Sequence, residues 1–155
     1  MEQSSFKSLN KVAEVEIRYR NKTRVSERPI IHNSKDAYQI LLANWNKDKI
    51  EYVEEFKILL LNFTNAVLGI SHISSGSGRA TIADPKIIFT TALKANASAI
   101  ILSHCHPSGC LKPSPEDLNL TTKLVECGKL LDIKVLDHLI VTADGYLSIC
   151  DEGLM

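Results

Sequence analysis

Ala99-Ile100-Ile101-Leu102-Ser103-His104-Cys105-His106-Pro107-Ser108-Gly109, followed by Pro113-Ser114-Pro115-Glu116-Asp117, is the stretch from which the rest of the chain can be ordered. Ala99 to Ser103 is a short aliphatic run that reads as a buried strand. Alternate side chains of a strand share a face, so His104 and His106 point together and Cys105 points away. Pro107-Ser108-Gly109 turns the chain. Ser114 suits a helix N-cap and Pro115 the first helical position, which puts Asp117 in the first turn. A strand, a turn and a helix start thus carry two imidazoles and a carboxylate toward one another.

That donor set suits a catalytic zinc with one open coordination position. Each part also has a plainer reading. Ser114-x-x-Asp117, taken alone, is more simply a capping box. A single histidine on an apolar strand is more often a satisfied core residue. Two on one face need polar partners at once, and a metal shared with Asp117 satisfies all three. His138, beside Asp137 in another apolar run, reads as a hydrogen-bonded core histidine or one standing behind the metal. His32 and His72 have no partners in sequence.

His104-x-His106-Pro107, six residues, Ser114, two residues and Asp117 resembles the signature of the JAB/MPN (JAMM) metalloproteases. The wording His-Cys-His-Pro-Ser-Gly with Pro-Ser-Pro-Glu-Asp is similar to the RadC family within them. Glu55 to Asn62, Ile73-Ser74-Ser75-Gly76 and Leu136 to Val141 resemble further landmarks of that family, from about Asp36 to the C-terminus. Cys105 and Cys110 depart from its usual residues, at positions that are not ligands. The resemblance implies a JAB/MPN, cytidine-deaminase-like architecture and a zinc ion held by His104, His106, Asp117 and a water. It also implies a glutamate general base at the start of the first core strand, where Glu55 is the matching residue, ahead of Glu54 and Glu51. Glu54 and Glu55 face opposite ways on a strand, so only one can reach the metal. Ser114 is implied as the hydroxyl that supports the oxyanion.

Composition describes an ordinary globular domain. At 155 residues the chain has room for one domain with a real core. Lys+Arg and Asp+Glu are both 18, a formal net charge of zero, which gives no global pull toward nucleic acid. RadC proteins carry an association with DNA repair, and longer members have a helix-hairpin-helix region for which these residues leave no room. Cys105, Cys110, Cys127 and Cys150 form no Cys-x-x-Cys pair. The opening Met1-Glu2-Gln3-Ser4-Ser5-Phe6-Lys7 lacks the apolar segment of a secretory signal, and no apolar run has the length of a membrane span. A reducing cytoplasm is the expectation.

The organisation reads as an arm, residues 1–33, and a JAB-like domain, residues 34–155. Val15, Ile17 and Tyr19 alternate with charged residues and suggest an edge strand. Arg18, Arg20, Lys22 and Arg24 there are the one local cluster of positive charge. Ser34 is expected to cap a helix carrying Ala37, Ile40, Leu41 and Trp45 on one side. Phe56–Phe63 and Ala66–Ile73 suggest a hairpin through Thr64-Asn65, with Gly76 and Gly78 in a loop. Asp84-Pro85 starts a helix through Ala95, with Ile88, Phe89 and Ala92 inward. The helix after Ser114 runs toward Leu131 and covers the sheet with Leu118, Leu124, Val125 and Leu131. Lys134–Val141 and Tyr146–Cys150 are final strands joined across Ala143-Asp144-Gly145. This order predicts a three-layer α/β domain, a mixed sheet flanked by helices.

The functional expectation is a zinc-dependent peptidase or isopeptidase of the JAMM type acting on a protein or peptide. The alternative is a non-enzymatic or DNA-repair-associated module using the same fold as a binding platform. Retention of His104, His106, Asp117, Ser114 and a glutamate favours the enzyme. A nucleobase deaminase would need His-x-Glu and Pro-Cys-x-x-Cys, which the chain lacks.

Overall fold

The computed structural model describes residues 13–16, 18–76 and 83–155. Five strands, β1 (Glu54–Leu61), β2 (Val67–Gly76), β3 (Ala99–Cys105), β4 (Lys134–Val141) and β5 (Tyr146–Ser148), form one sheet in the order β2-β1-β3-β4-β5. The β1–β2, β1–β3 and β4–β5 pairs are antiparallel and β3–β4 is parallel. Three helices, α1 (Ser34–Ala43), α2 (Pro85–Lys94) and α3 (Pro115–Leu130), complete the fold.

The two faces of the sheet carry separate cores. Leu59, Leu61, Ala99, Ile101 and Cys105 pack with Ala37 and Leu41 of α1 and with Trp45 and Ile50. Phe56, Ile58, Leu60, Ile100 and Leu102 pack with Ile88, Phe89 and Ala92 of α2 and with Leu124 of α3. β1 and β3 are therefore apolar on both faces, which is why they read as unbroken runs rather than as alternating ones. Each fully buried Leu, Ile or Phe contributes about 1.5–3 kcal/mol, so this double core supplies most of the favourable free energy. The three-layer mixed α/β architecture is as the sequence predicts.

Several local expectations are corrected. No strand forms over 13–16 or 18–24. Tyr19 and Asn21 instead reach the backbone of β2 with their side chains, both bonding to the Leu68 carbonyl, and Ile17 lies outside the described residues. The cap of α1 is Asn33, whose side chain accepts from the Asp36 N–H, and Ser34 is the first helical residue. β1 ends at Leu61 because Asn62 turns its side chain onto the amides of Thr64 and Ala66 and Asn65 takes a positive φ of 60°; Phe63 is left exposed. β2 runs on to Gly76, while Gly78 lies outside the described residues. Leu131 does not cover the sheet. α3 presents Thr121, Leu124 and Gly128 inward, and the chain leaves it through Asp132 at φ 54°. β5 stops at Ser148, two residues short of Cys150.

β3, α3 and β4 make the parallel crossover unit of the domain. In open sheets of this type, ligands sit beyond the carboxyl ends of the parallel strands, next to the helix that follows. His104 and Cys105 are the last two residues of β3, and Asp117 is in the first turn of α3.

Candidate metal centre

His106 continues the course of β3 for one residue, its N–H donating to the Val141 carbonyl at 3.0 Å. Pleating then places its ring beside that of His104, with the Nε2 atoms 2.9 Å apart. Cys105 projects to the other side, into the α1 core, where its thiol meets the Val53 carbonyl and the Glu55 N–H. Burial, the largest cause, pushes that thiol's pKa up, so it is a poor ligand as well as a misplaced one. The turn after His106 closes with the Gly109 N–H on the His106 carbonyl at 3.0 Å, and Gly109 takes a φ of 79° that favours glycine.

That turn carries the Cys110 carbonyl to within 2.7 Å of His106 Nδ1. A carbonyl can only accept, so Nδ1 holds a proton, and Nε2 is the ring nitrogen turned toward His104 and Asp117. On the other side His104 Nδ1 is engaged by His138 Nε2 at 2.8 Å, which leaves His104 Nε2 facing its partner. Phe56 lies parallel to the His104 ring at 6.1 Å between centroids and walls the site from within.

Asp117 serves two purposes. Its Oδ2 accepts from the Ser114 N–H at 2.7 Å while Ser114 Oγ accepts from the Asp117 N–H at 3.1 Å, a reciprocal capping box. The same carboxylate lies 3.2 Å from His104 Nε2 and 3.7 Å from His106 Nε2. The capping reading of Ser114-x-x-Asp117 is borne out, and the same box aims the carboxylate at both rings. Burial would raise the Asp117 pKa, but hydrogen bonds from His104 and His106, the charge on His104 and the Ser114 N–H outweigh it. The carboxyl is held well below its usual range. The Asp117 hydrogen bond, opposed by burial, raises the pKa of His106. Two imidazole nitrogens and an anion facing one point attract a proton, and would attract a metal cation more.

His104, His106 and Asp117 bring their donor atoms within 4.8 Å of one another and could hold a metal ion. The set fits a divalent metal bound by nitrogen and oxygen: both rings turn Nε2 to one point, and the carboxylate is fixed by a cap. Ser114 sits beside it at the helix start, its Oγ accepting from the Asp117 N–H and its proton left to donate.

Glu55 is not on this side. The antiparallel pairing of Phe56 with His104 sets the faces of β1, so Phe56 and Glu54 share the histidine face and Glu55 shares that of Cys105. Glu55 is buried, with one carboxylate oxygen 3.9 Å from His72 Nδ1. Glu54 lines a cleft of about 410 Å³ together with His106, Tyr52, Ser108 and Lys112. Glu54 is therefore the carboxylate on the histidine face, and this register corrects the expectation that Glu55 would face the histidines. Glu51 lines a different cavity, with Trp45 and Ala143. A larger groove of about 460 Å³ lies between the end of α3 and β4 and contains none of these groups.

Sequence reasoning left two contributors unassigned. The Cys110 carbonyl is a backbone group that no residue type could signal. Thr121 is four residues after Asp117 on the inner face of α3, and its hydroxyl bonds both the Asp117 carbonyl at 2.7 Å and His138 Nδ1 at 2.6 Å. The helical spacing from Asp117 was the available clue. His138 is fully buried and hydrogen-bonded behind the site, as its apolar surroundings imply.

A mixed sheet with a two-histidine, one-aspartate cluster at the end of a parallel strand defines an α/β domain with a potential metal centre. A family model described as the RadC-like JAB domain matches residues 31–154, and the chain belongs to that family. It is 43% identical over 125 residues to a UPF0758 protein of Alkaliphilus metalliredigens, covering 81% of this chain and 53% of that protein. A UPF0758 protein of Flavobacterium johnsoniae is 37% identical over 149 residues, 96% of this chain and 64% of the relative. One of Clostridium beijerinckii is 32% identical over all 155 residues, 66% of its own length. The chain thus spans between about half and two thirds of the length of these curated relatives.

Proposed function

We propose that this domain is a zinc-dependent metallopeptidase or isopeptidase of the JAMM type, hydrolysing an amide bond in a protein or peptide. The observation that carries the reading is the convergence of two Nε2 atoms and a capped carboxylate beside the cleft that holds Glu54. His104, His106 and Asp117 would hold the ion. Bound there, a zinc ion supplies Lewis acidity and brings the pKa of water from about 15.7 to near 7.

The chain's own groups account for the remaining chemistry. Glu54, on the metal face of β1, takes the proton of the attacking water and hands it to the departing amine, a role that contributes typically about 10²–10⁴ in rate. Ser114 already accepts a backbone N–H, so its free proton is directed to the oxyanion developing on the scissile carbonyl, where one donor is worth about 10²–10³. The open cleft beside His106 admits an extended chain, and Lys112 and Tyr52 on its rim are placed to contact it. The zero net charge gives a DNA-repair role no electrostatic support. A cytoplasmic setting agrees with the four free cysteines, two of them exposed. Among the described residues, no helix is long and apolar enough to cross a membrane.

The test is metal analysis of protein purified without added metal, together with His106→Ala. About one zinc per chain is expected in the wild type and none held tightly by the variant. Stoichiometric zinc retained by His106→Ala at wild-type affinity would overturn the assignment.

A further inference from the structure

We propose that Ser75, His72 and Glu55 form a second reactive centre, in which Ser75 takes an acyl group from an activated ester, with His72 as base and Glu55 behind it. This centre shares no residue with the metal cluster, lies on the opposite face of the sheet and needs no ion.

A bulge brings the three side chains together. Glu55 pairs with Ser75 and Lys57 with His72, while the single step from Phe56 to Lys57 is matched by two residues of β2, from Ser74 to His72. Residues three apart on a regular strand face opposite ways, so the extra residue, Ile73, is what turns His72 and Ser75 to one side. Directly opposed residues share a face, which puts Glu55 on that side too. His72 Nε2 lies 3.1 Å from Ser75 Oγ, and His72 Nδ1 lies 3.9 Å from Glu55 Oε1. The first is a hydrogen bond between a hydroxyl and a base. The second is an ion-pair distance, of the kind that tightens as charge develops in the reacting complex.

The array runs from the interior to the surface. The Glu55 side chain is 7% exposed and that of His72 46%, and Ser75 is open to solvent. Glu55 Oε2 is enclosed and has no hydrogen-bond partner among the described residues. Lys57, on the same face, is committed elsewhere, with its Nζ 3.5 Å from the Asn44 carbonyl and 4.9 Å from the centre of the Trp45 ring. A positive charge arriving on the His72 ring is therefore met by a buried carboxylate that no other cation pairs with among the described residues. With the Nδ1 proton turned to Glu55, Nε2 is left to receive the proton of Ser75. Ser75 Oγ attacks the ester carbonyl as that proton passes to Nε2; the bond to the alcohol oxygen breaks, and His72 returns the proton to the departing alcohol. Water repeats the sequence on the acyl-serine, so ester and water become acid and alcohol and both residues are restored. β2 is an edge strand whose outer side carries no backbone pairing from Gly69 onward among the described residues, so alternate N–H groups there are free to face the developing oxyanion.

The experiment mixes the full chain with p-nitrophenyl acetate in the presence of EDTA, which silences any metal chemistry. Nitrophenolate release is followed, and the acetylated residues are mapped by peptide mass spectrometry. Wild type should acquire its acetyl group at Ser75, and Ser75→Ala should not carry one there or at a neighbouring serine. His72→Gln should slow acetylation of Ser75 by about 10²–10⁴-fold. Ser71→Ala, altered on the other face of β2 opposite Ile58, should behave as wild type. Glu55→Asp keeps the charge and Glu55→Gln keeps the shape, so the aspartate variant should retain more of the rate if the carboxylate acts through its charge. His72 and Ser75 are exposed, so their variants decide the matter should a Glu55 variant fail to fold. Acetylation of Ser75 no faster than that of Ser71, or unchanged in His72→Gln, would overturn the proposal; Glu55→Gln equal to or faster than Glu55→Asp would remove Glu55 from it.

Discussion

Asp117→Asn separates the two duties of one side chain. Asparagine keeps an oxygen for the Ser114 N–H, so the start of α3 remains capped, while the negative charge facing His104 and His106 is lost. The forfeited charge–dipole interaction at the helix start is worth about 0.3–1 kcal/mol. The new amide N–H can donate to a neighbouring Nε2 and offset part of that. The metal-free variant should therefore melt within a few degrees of wild type, at about 2–4 °C per kcal/mol for a domain of this size. Zinc is another matter. A closed zinc site yields about 10–16 kcal/mol over four ligands, so one donor is worth about 2.5–4 kcal/mol, or about 10²–10³ in Kd. With free zinc at about a thousand times the wild-type Kd, binding stabilises wild type by about 4.1 kcal/mol. That corresponds to a rise in Tm of about 8–16 °C. The variant, at about 1–10 times its own Kd, gains about 0.4–1.4 kcal/mol and rises by about 1–6 °C. Thermal melts of both proteins with and without zinc measure the four values. A zinc-induced rise in Asp117→Asn equal to that of wild type would show that the carboxylate is a cap and nothing more.

Glu54→Gln should keep the metal and lose about 10²–10⁴ of any hydrolytic rate, whereas Glu55→Gln should leave the rate near wild type; a reversal of the two in a peptide-hydrolysis assay would mean that the β1 register is wrong. Gly128→Ala should lower the urea midpoint, because the added Cβ would fall inside contact distance of the Ile133 carbonyl oxygen. The helix-propensity gain of about 1 kcal/mol is outweighed by an overpacking cost of about 1–3 kcal/mol. Duplex DNA should bind no tighter than about 10⁻⁴–10⁻⁶ M at physiological salt and through the arm around Arg20, Lys22 and Arg24, since Arg18 is already paired with Glu16; a titration giving nanomolar affinity would favour a repair module instead.

The convergence of His104, His106 and Asp117 was legible because its parts are local. Strand alternation faces His104 and His106 together, and Ser114-Pro115 places Asp117, so nothing distant is needed. Which glutamate faces the histidines was not legible, although alternation correctly separates Glu54 from Glu55. Which of the two faces the histidines is fixed by the pairing of Phe56 with His104, a contact 48 positions apart that no local pattern encodes. His138 shows the same limit more sharply. Ile100 pairs with Val135 but Ile101 pairs with Asp137, so β4 carries an extra residue at Leu136. That single shift turns His138 toward His104 and Asp137 toward Ser148 and the Cys150 N–H on the other face. Unbroken alternation from Val135 would have reversed them.

The contact between His106 Nδ1 and the Cys110 carbonyl ties one ring of the cluster to the peptide path of a surface turn rather than to any side chain. Exchange of the residue at 110 leaves that tether intact; shortening the turn, or giving Gly109 a side chain that resists its φ of 79°, would not. Because Ser108 and Cys110 also line the open cleft, whatever settles there bears on the same turn that orients His106. Were an ion held by His104, His106 and Asp117, thermodynamic reciprocity would join the two events: a cleft occupant that favours the tethered turn would strengthen the grip on the ion by the same factor by which the ion would strengthen the grip on the occupant.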